Sequence, residues 1–437
     1  MKKLLCVGLL VLVCGAAGAA PKNVIVMIAD GWGFEQKAAA EFYDNGGESK
    51  FFDWMMPLAM STYSASGTGY DPASAWSDFL YVKNRPTDSA ASATALSTGV
   101  KTKNGMIGVD PDGKPLRHIY QAAEEKGKAT GVVTSVLLAH ATPAGFTAHD
   151  SKRGNYEAIS RQMIRQTPLE VIMGTGHPEY DGSGKKLAAD EVNDKRYQVV
   201  GGKDTWEGLK NSSAGADADG DGKPDPWALI ETREQFKALG NGDTPKRVLG
   251  VAQVEATLQQ ERDGDKKADP FKTPLTETVP TLTEMVRGAL NVLDNDPDGL
   301  FLMVEGGAVD WAGHDNQSGR SIEEQLAFRD AVDAVKLWIE TNSSWDETLL
   351  VVTADHETGY LTGPGKETEW VPVENKGKGQ MPGMKWNSGE HTNSLVPLFV
   401  KGTGTDAVEA KAVSSDPKRG KFLHSTELSQ TLHGLLK

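Results

Sequence analysis

Three apolar runs along this chain continue unbroken until an acid ends each of them. Residues 23 to 30, NVIVMIAD, close on Asp30 and break into Gly31, Trp32 and Gly33; LFLMVEGG from Leu300 reaches Glu305; TLLVVTADH from Thr348 ends on Asp355 and His356. Runs of this length without two-residue alternation predict strands buried on both faces, and such strands belong to a sheet covered by helices on either side. Ligands of these sheets gather beyond the carboxyl ends of the strands, so the three acids are expected on one rim. The pattern predicts an α/β fold: a three-layer sandwich with a large, mostly parallel central sheet flanked by helices.

A different pattern runs from Thr87 to Thr102, TDSAASATALSTGVKT, where small residues replace the bulky ones. Ser89 with Ala90, Ala91 and Ala93 suits the first turn of a helix, whose free N–H groups and positive dipole end favour an anion. The plain reading is that Asp88 or Ser89 caps a core helix. The chemical reading is that Ser89 is a mounted nucleophile, and the distant acids and histidines favour it. Asp310 and His314 lie four residues apart just after Glu305, and His391 stands in GEHTNS. A lone histidine is usually structural. Together with the Asp355–His356 pair and the strand-end acids, however, these residues match two cations bound by mixed nitrogen and oxygen ligands, a donor set typical of zinc.

At this point the chain resembles the alkaline phosphatase family. The resemblance runs through Asp30, TDSAASATALSTGVKT, LAHATPAGFTAHDSKR, MVEGGAVDWAGH, TADHETG and GEHTN in the family's order, over nearly the whole chain after residue 20. It implies that Ser89 is phosphorylated during turnover. Asp310, His314 and His391 would hold a first zinc, and Asp30, Asp355, His356 and Ser89 a second. Asp30 would bridge to a third metal, normally magnesium, with Thr142 and Glu305, while Arg153 clamps the phosphate. His140 and Trp311 stand where the best-known bacterial pattern has an acid in the third pocket and a lysine near the phosphate. The implied third metal is therefore magnesium, or zinc or cobalt in its place, and Trp311 borders the substrate. A divalent cation suits a serine nucleophile because it stabilises an alkoxide at neutral pH. The implied activity is phosphomonoester hydrolysis with broad specificity; the rivals are a phosphodiesterase or pyrophosphatase of the same superfamily and a non-catalytic binder. Homodimers are usual in the family, and no interface is legible in this chain's spacing.

Length and composition agree with one large domain over residues 21–437: the chain has 437 residues, is 38% hydrophobic and shows no internal repeat. Its formal charge of −14 argues against nucleic acid or an anionic membrane as partner, and leaves small phosphate monoesters to be attracted by local metal charge. Residues 1–20, MKKLLCVGLLVLVCGAAGAA, read as a signal peptide with no membrane span, so an exported protein, periplasmic or extracellular, is expected. Both cysteines, Cys6 and Cys14, fall inside it, leaving the remainder without disulfides.

Residues 201–226 and 361–390 are rich in Gly, Pro, Asp and Lys and read as polar surface insertions, the second lying just before His391. Within the first, DADGDGKPD places Asp217, Asp219, Asp221 and Asp225 around Gly222, like the start of a calcium loop. Ala228 stands at position twelve in place of the bidentate glutamate. Calcium and a solvated acidic turn both remain open. The other histidines, His118, His149, His177, His424 and His433, fit no ligand spacing.

Overall fold

The computed structural model describes residues 20–47, 51–366 and 368–436, so the expected signal peptide lies outside the described residues but for Ala20. Eleven strands make one sheet: β1 (Asn23–Ala29), β2 (Met56–Ser61), β3 (Ala129–Leu137), β4 (Val171–Thr175), β5 (Ala228–Ile230), β6 (Val248–Val251), β7 (Leu300–Gly306), β8 (Thr348–Thr353), β9 (Val396–Gly402), β10 (Ser414–Asp416) and β11 (Gly420–His424). Their order across the sheet is β10-β11-β2-β9-β8-β1-β7-β3-β4-β6-β5, and all but β9 and β10 point the same way. The three runs that end in acids are the centre, β8-β1-β7, and every residue in these strands is buried. That is why they lack alternation: neither face meets water.

Helices cover the sheet in two groups: α1 (Phe34–Asn45), α2 (Ser89–Thr98), α3 (Ala141–Thr147), α4 (Leu282–Leu293), α5 (Ala308–His314), α6 (Ser318–Asn342) and α7 (Ser425–Leu435). α2, α3 and α7 pack together, while α1 and α4 pack on α6. The α4 sequence shows how local signals set an element. Thr281 and Glu284 form a capping box, and Leu282, Met285, Val286, Ala289, Leu290 and Leu293 recur at helical spacing on the buried face. Among the described residues no helix is long and apolar enough to cross a membrane.

Two close approaches shape the rim. Gly145 of α3 lies against α2 so tightly that an added Cβ would stand 2.6 Å from Ala93 Cβ, which explains the small residues after Ser89. Gly31, directly after Asp30, has φ +77°, and a Cβ there would meet Asp310 Cα at 2.6 Å. Glycine thus lets α5 come down onto the end of β1.

The two insertions are more anchored than their composition suggests. Residues 203–210 of the first are helical and bury Trp206 and Leu209 in the main core. In the second, Leu361–Thr362 pairs with Lys385–Trp386, and Leu361 and Val373 pack on Ala39. A few large apolar side chains outweigh the polar surroundings, because each buried one contributes about 1.5–3 kcal/mol.

Candidate active site

Asp30 follows the last residue of β1, and Asp355 and His356 come just after β8. Glu305 lies within β7, opposite both Ile28 of β1 and Thr134 of β3. His140 and Thr142 start α3 beyond the end of β3, and His391 precedes the antiparallel β9, so its chain returns to the same rim. Asp310 and His314 occupy successive turns of α5. The structure therefore brings together all three strand-end acids, both remote histidines and Ser89.

Three clusters result. Asp310 Oδ1 is 3.4 Å from His314 Nε2 and 3.4 Å from His391 Nε2, and the two imidazole nitrogens are 3.0 Å apart. His356 Nε2 is 3.2 Å from Asp355 Oδ2, 3.5 Å from Asp30 Oδ1 and 3.2 Å from Ser89 Oγ. These separations fit donors around one zinc, since bonds of about 2.0–2.1 Å at tetrahedral angles leave roughly 3.3 Å between ligands. Asp30, His140 and Glu305 offer a third group, with donor atoms all within 4.8 Å of one another. The His356 and His391 rings stack at 3.6 Å, so the first two clusters adjoin.

Several of these donors also lack ordinary partners. Both oxygens of Asp30, Asp355 Oδ2, Glu305 Oε1, His140 Nδ1 and Thr142 Oγ1 are buried without a hydrogen bond. Buried polar atoms are almost always paired, and orphans concentrated in one place mark where a cation belongs. The ionisation of the bare site says the same. Burial first, then the charges of Asp355, Asp310 and Glu305, push the Asp30 carboxyl well up. Burial likewise pushes Glu305 up to about 7 and Asp355 up to about 6. Burial holds His140 down to about 3, with Arg153 adding to the effect, so its imidazole is neutral and available as a ligand. Asp310 goes the other way: burial would raise it, but the hydrogen bond and charge of His391 bring it far below the usual carboxylate range.

Neighbouring groups orient the donors. His391 Nδ1 pairs with the Thr87 carbonyl at 2.8 Å and His314 Nδ1 with the Gly389 carbonyl at 2.7 Å, which turns each Nε2 inward. The Thr358 hydroxyl donates to Asp310 Oδ1 at 2.5 Å and lies 3.3 Å from His356 Nδ1. Thr134 donates to Glu305. Thr358 and Thr134 escaped the sequence reading, although Thr358 sits inside the quoted TADHETG block.

Ser89 is the first residue of α2, and Asp88 caps the helix by accepting from Ala91 N at 2.9 Å. The plain capping role is thus real, and Asp88 does more. Its other oxygen accepts from Gly105 N at 2.8 Å and from Arg153 Nη1 at 3.1 Å. Burial works against the Arg153 charge, but Asp88 outweighs it and keeps the guanidinium firmly protonated. Arg153 Nη2 also reaches His140 Nε2 at 3.3 Å. Ser89, Arg153, Asp310, His314 and His391 line a single cleft of about 670 Å³. Trp311 meets the site through the His140 ring, at 5.8 Å between centroids, and is not among the residues lining that cleft.

In the acidic loop, Asp217, Asp219 and Asp225 converge, while Asp221 lies outside the trio. Asp225 Oδ2 there accepts from the amides of Ala218 and Asp219. Three of the remaining histidines have partners away from the cleft. His177 pairs with Glu231 at 2.7 Å, His149 meets the Leu116 carbonyl at 2.7 Å, and His118 is buried against the His149 ring.

A doubly covered, mostly parallel sheet with a serine and a multi-cation donor set on its carboxyl rim defines a class of α/β proteins with metal-assisted chemistry at the strand ends. The chain belongs to the alkaline phosphatase family: the family model matches residues 21–428. "Alkaline phosphatase 3" of Bacillus subtilis is 32% identical over 358 residues, covering 80% of this chain and 64% of that protein. "Alkaline phosphatase H" of Pseudomonas aeruginosa is 32% identical over 355 residues, covering 77% of this chain and 69% of that one. The chain thus spans slightly under two thirds of the Bacillus relative's length. A solved cold-active alkaline phosphatase from a psychrophilic Shewanella shares the fold, with a TM-score of 0.67 and 24% identity over 95% of this chain and all of that one.

Proposed function

We propose that this chain is an exported phosphomonoesterase of broad specificity that works through a phosphoserine on Ser89. The observation that carries the reading is the meeting of the Ser89 hydroxyl with Asp30, Asp355 and His356 at the start of α2, with Arg153 lining the same cleft. The donors fit two zinc ions, at Asp310–His314–His391 and at Asp30–Asp355–His356–Ser89, and a magnesium at Asp30–His140–Thr142–Glu305. Bound there, the cations supply the positive charge that stabilises a serine alkoxide and the departing ester oxygen. A histidine-to-aspartate variant of the TAB5 alkaline phosphatase is described with Mg bound in its M3 site, in keeping with a third position of this kind.

The chain's own groups do the rest. Arg153, held by Asp88, grips two equatorial oxygens of the phosphoryl group, whose charge spreads outward as the ester bond loosens. The N–H groups at the start of α2 face the same oxygens with the positive end of the helix dipole. Ser89 Oγ forms a bond to phosphorus as the ester P–O bond breaks and the alcohol leaves. Water then displaces Ser89 and phosphate departs. Because these contacts are made to the phosphoryl group, the alcohol is weakly selected.

The experiment is hydrolysis of a simple aryl phosphate monoester and its matched diester, each with and without chelator. Fast, chelator-sensitive cleavage of the monoester supports the proposal. Preference for the diester would favour the diesterase reading, and no cleavage of either would favour a binder.

A further inference from the structure

Arg85 is the anomaly of the catalytic cleft. The chain is acidic overall, at −14, yet this exposed arginine lines the cleft beside Ser89. Its guanidinium makes no hydrogen bond or ion pair with any described residue. Its backbone lies in the left-handed region, with φ +48°, where a branched-out L side chain is strained by about 1 kcal/mol or more.

The surrounding loop holds that conformation from both sides. Before it, the Asn84 carbonyl accepts from Asn393 Nδ2 at 2.5 Å, and Asn393 N donates to the Val82 carbonyl at 2.6 Å. After it, the Pro86 carbonyl accepts from Asn104 Nδ2 at 3.0 Å. Lys83 Nζ adds a bond to the Asn387 carbonyl at 3.0 Å. The loop is thereby fastened to the segment that carries His391. A strained backbone, fixed by neighbours and presenting an unpaired cation to a reaction cleft, is arranged to meet an anion.

We propose that Arg85, with Ser64, Ser66 and Asn104 as neutral neighbours in the cleft wall, forms a second anion subsite that takes a further phosphoryl group on the leaving group of the substrate. This rests on the phosphomonoesterase reading and adds a substrate preference to it. Arg85 lies four positions before Ser89, so their Cα atoms stand at most about 14 Å apart. A leaving group of a few bonds can bridge that distance. Guanidinium suits a phosphoryl group because its planar donors match two oxygens at once. Glu390 also lines the cleft and repels anions in general, so Arg85 supplies the local attraction that distinguishes a doubly phosphorylated substrate from a singly phosphorylated one.

The test compares propyl phosphate with propanediol bisphosphate in the metal-loaded wild type and in Arg85→Gln. For the variant, kcat/KM for the bisphosphate should fall about tenfold through KM, with kcat and the propyl phosphate rates changed less than twofold. Lys103→Gln removes the same charge outside the cleft wall and should leave the ratio of the two substrates as in wild type. Equal loss on both substrates, no loss on either, or the same shift in Lys103→Gln overturns the subsite while leaving the phosphatase reading intact. Absence of wild-type hydrolysis of propyl phosphate would instead count against that reading. Melting curves of Arg85→Gln confirm that the comparison is between folded proteins.

Discussion

Two groups of buried charges in this chain have opposite fates. At the rim, Asp30, Asp355 and Glu305 crowd into one volume and leave oxygens with no partner. Elsewhere Arg262 is equally buried, but it donates to Glu323 at 2.8 Å and to the carbonyls of Gln259, Thr273 and Pro274, while Glu323 accepts from Phe271 N at 2.6 Å. The second group is complete within the protein and serves as a clasp for the loop between Gln259 and Pro274. The first is complete only with something added. Burial alone therefore does not mark a site; several unpaired donors buried in one volume do.

The comparison can be broken most forcefully by chelation. Removing divalent ions should lower phosphomonoesterase activity at least about 1,000-fold, with recovery on adding zinc and magnesium, as assayed after dialysis. The Arg262 clasp should be indifferent to the same treatment. Activity that survives complete chelation would mean that the rim acids are not a cation site.

Mutation should then separate the groups by sign. Arg262→Met takes the nearer of two arginines from buried Glu323, leaving Arg320 at 3.5 Å, and removes the donors to three carbonyls; it should lower the unfolding free energy by about 3 kcal/mol in urea titrations. Asp355→Asn removes one of several repelling carboxylates, so in metal-free protein it should stabilise, while in metal-loaded protein it should destabilise. The same sign in both metal states would contradict a cation-binding role.

A smaller effect belongs to the third pocket. His140→Asp with Trp311→Lys adds a negative ligand and a nearby cation. After identical dialysis the double variant should retain more magnesium than wild type and be inhibited by phosphate about fivefold more tightly. Unchanged metal content and inhibition would make the His140–Trp311 contact a matter of packing.

The smallest effect concerns Glu324, the unsatisfied neighbour of the clasp. Burial first, then the Glu323 charge, pushes its carboxyl up to about 8, against Arg262 and a backbone hydrogen bond at Gln260 that favour ionisation. A carboxyl raised in the folded state favours folding while protonated, so its contribution is fullest below the unfolded value near 4.5 and is lost as pH rises through about 8. Glu324→Gln should accordingly raise the melting temperature by a few degrees at pH about 9 relative to wild type, with a smaller gain at pH about 5. Equal shifts at both pH values would show that Glu324 ionises normally.

Much of the rim was legible in the sequence because unbroken apolar strands leave little freedom in where their terminal acids go. Asp30, Glu305 and Asp355 follow from pattern alone. His391 was visible as a residue type, but only the reversed direction of β9 explains how it reaches that rim. The assignments of His140, Thr142 and Arg153 came from resemblance, since no spacing ties them to the strand-end acids. Thr134 and Thr358 were hidden because a hydroxyl's partner across a sheet or turn leaves no local trace. Arg85 was hidden for a different reason: its significance lies in a backbone conformation and an absent partner. Residues 203–210 looked like part of a loose polar insertion because Trp206 and Leu209 are too sparse to register as a pattern, although burial of two large side chains suffices to fold the helix down.

The most direct test of the account is acid quenching of the zinc- and magnesium-loaded protein during turnover of a labelled phosphate monoester, followed by peptide mapping. The account predicts label on Ser89, in the peptide containing TDSAASATALSTGVK, and none in Ser89→Ala. Stable label on another residue, or rapid turnover by Ser89→Ala with the metals still bound, would contradict it.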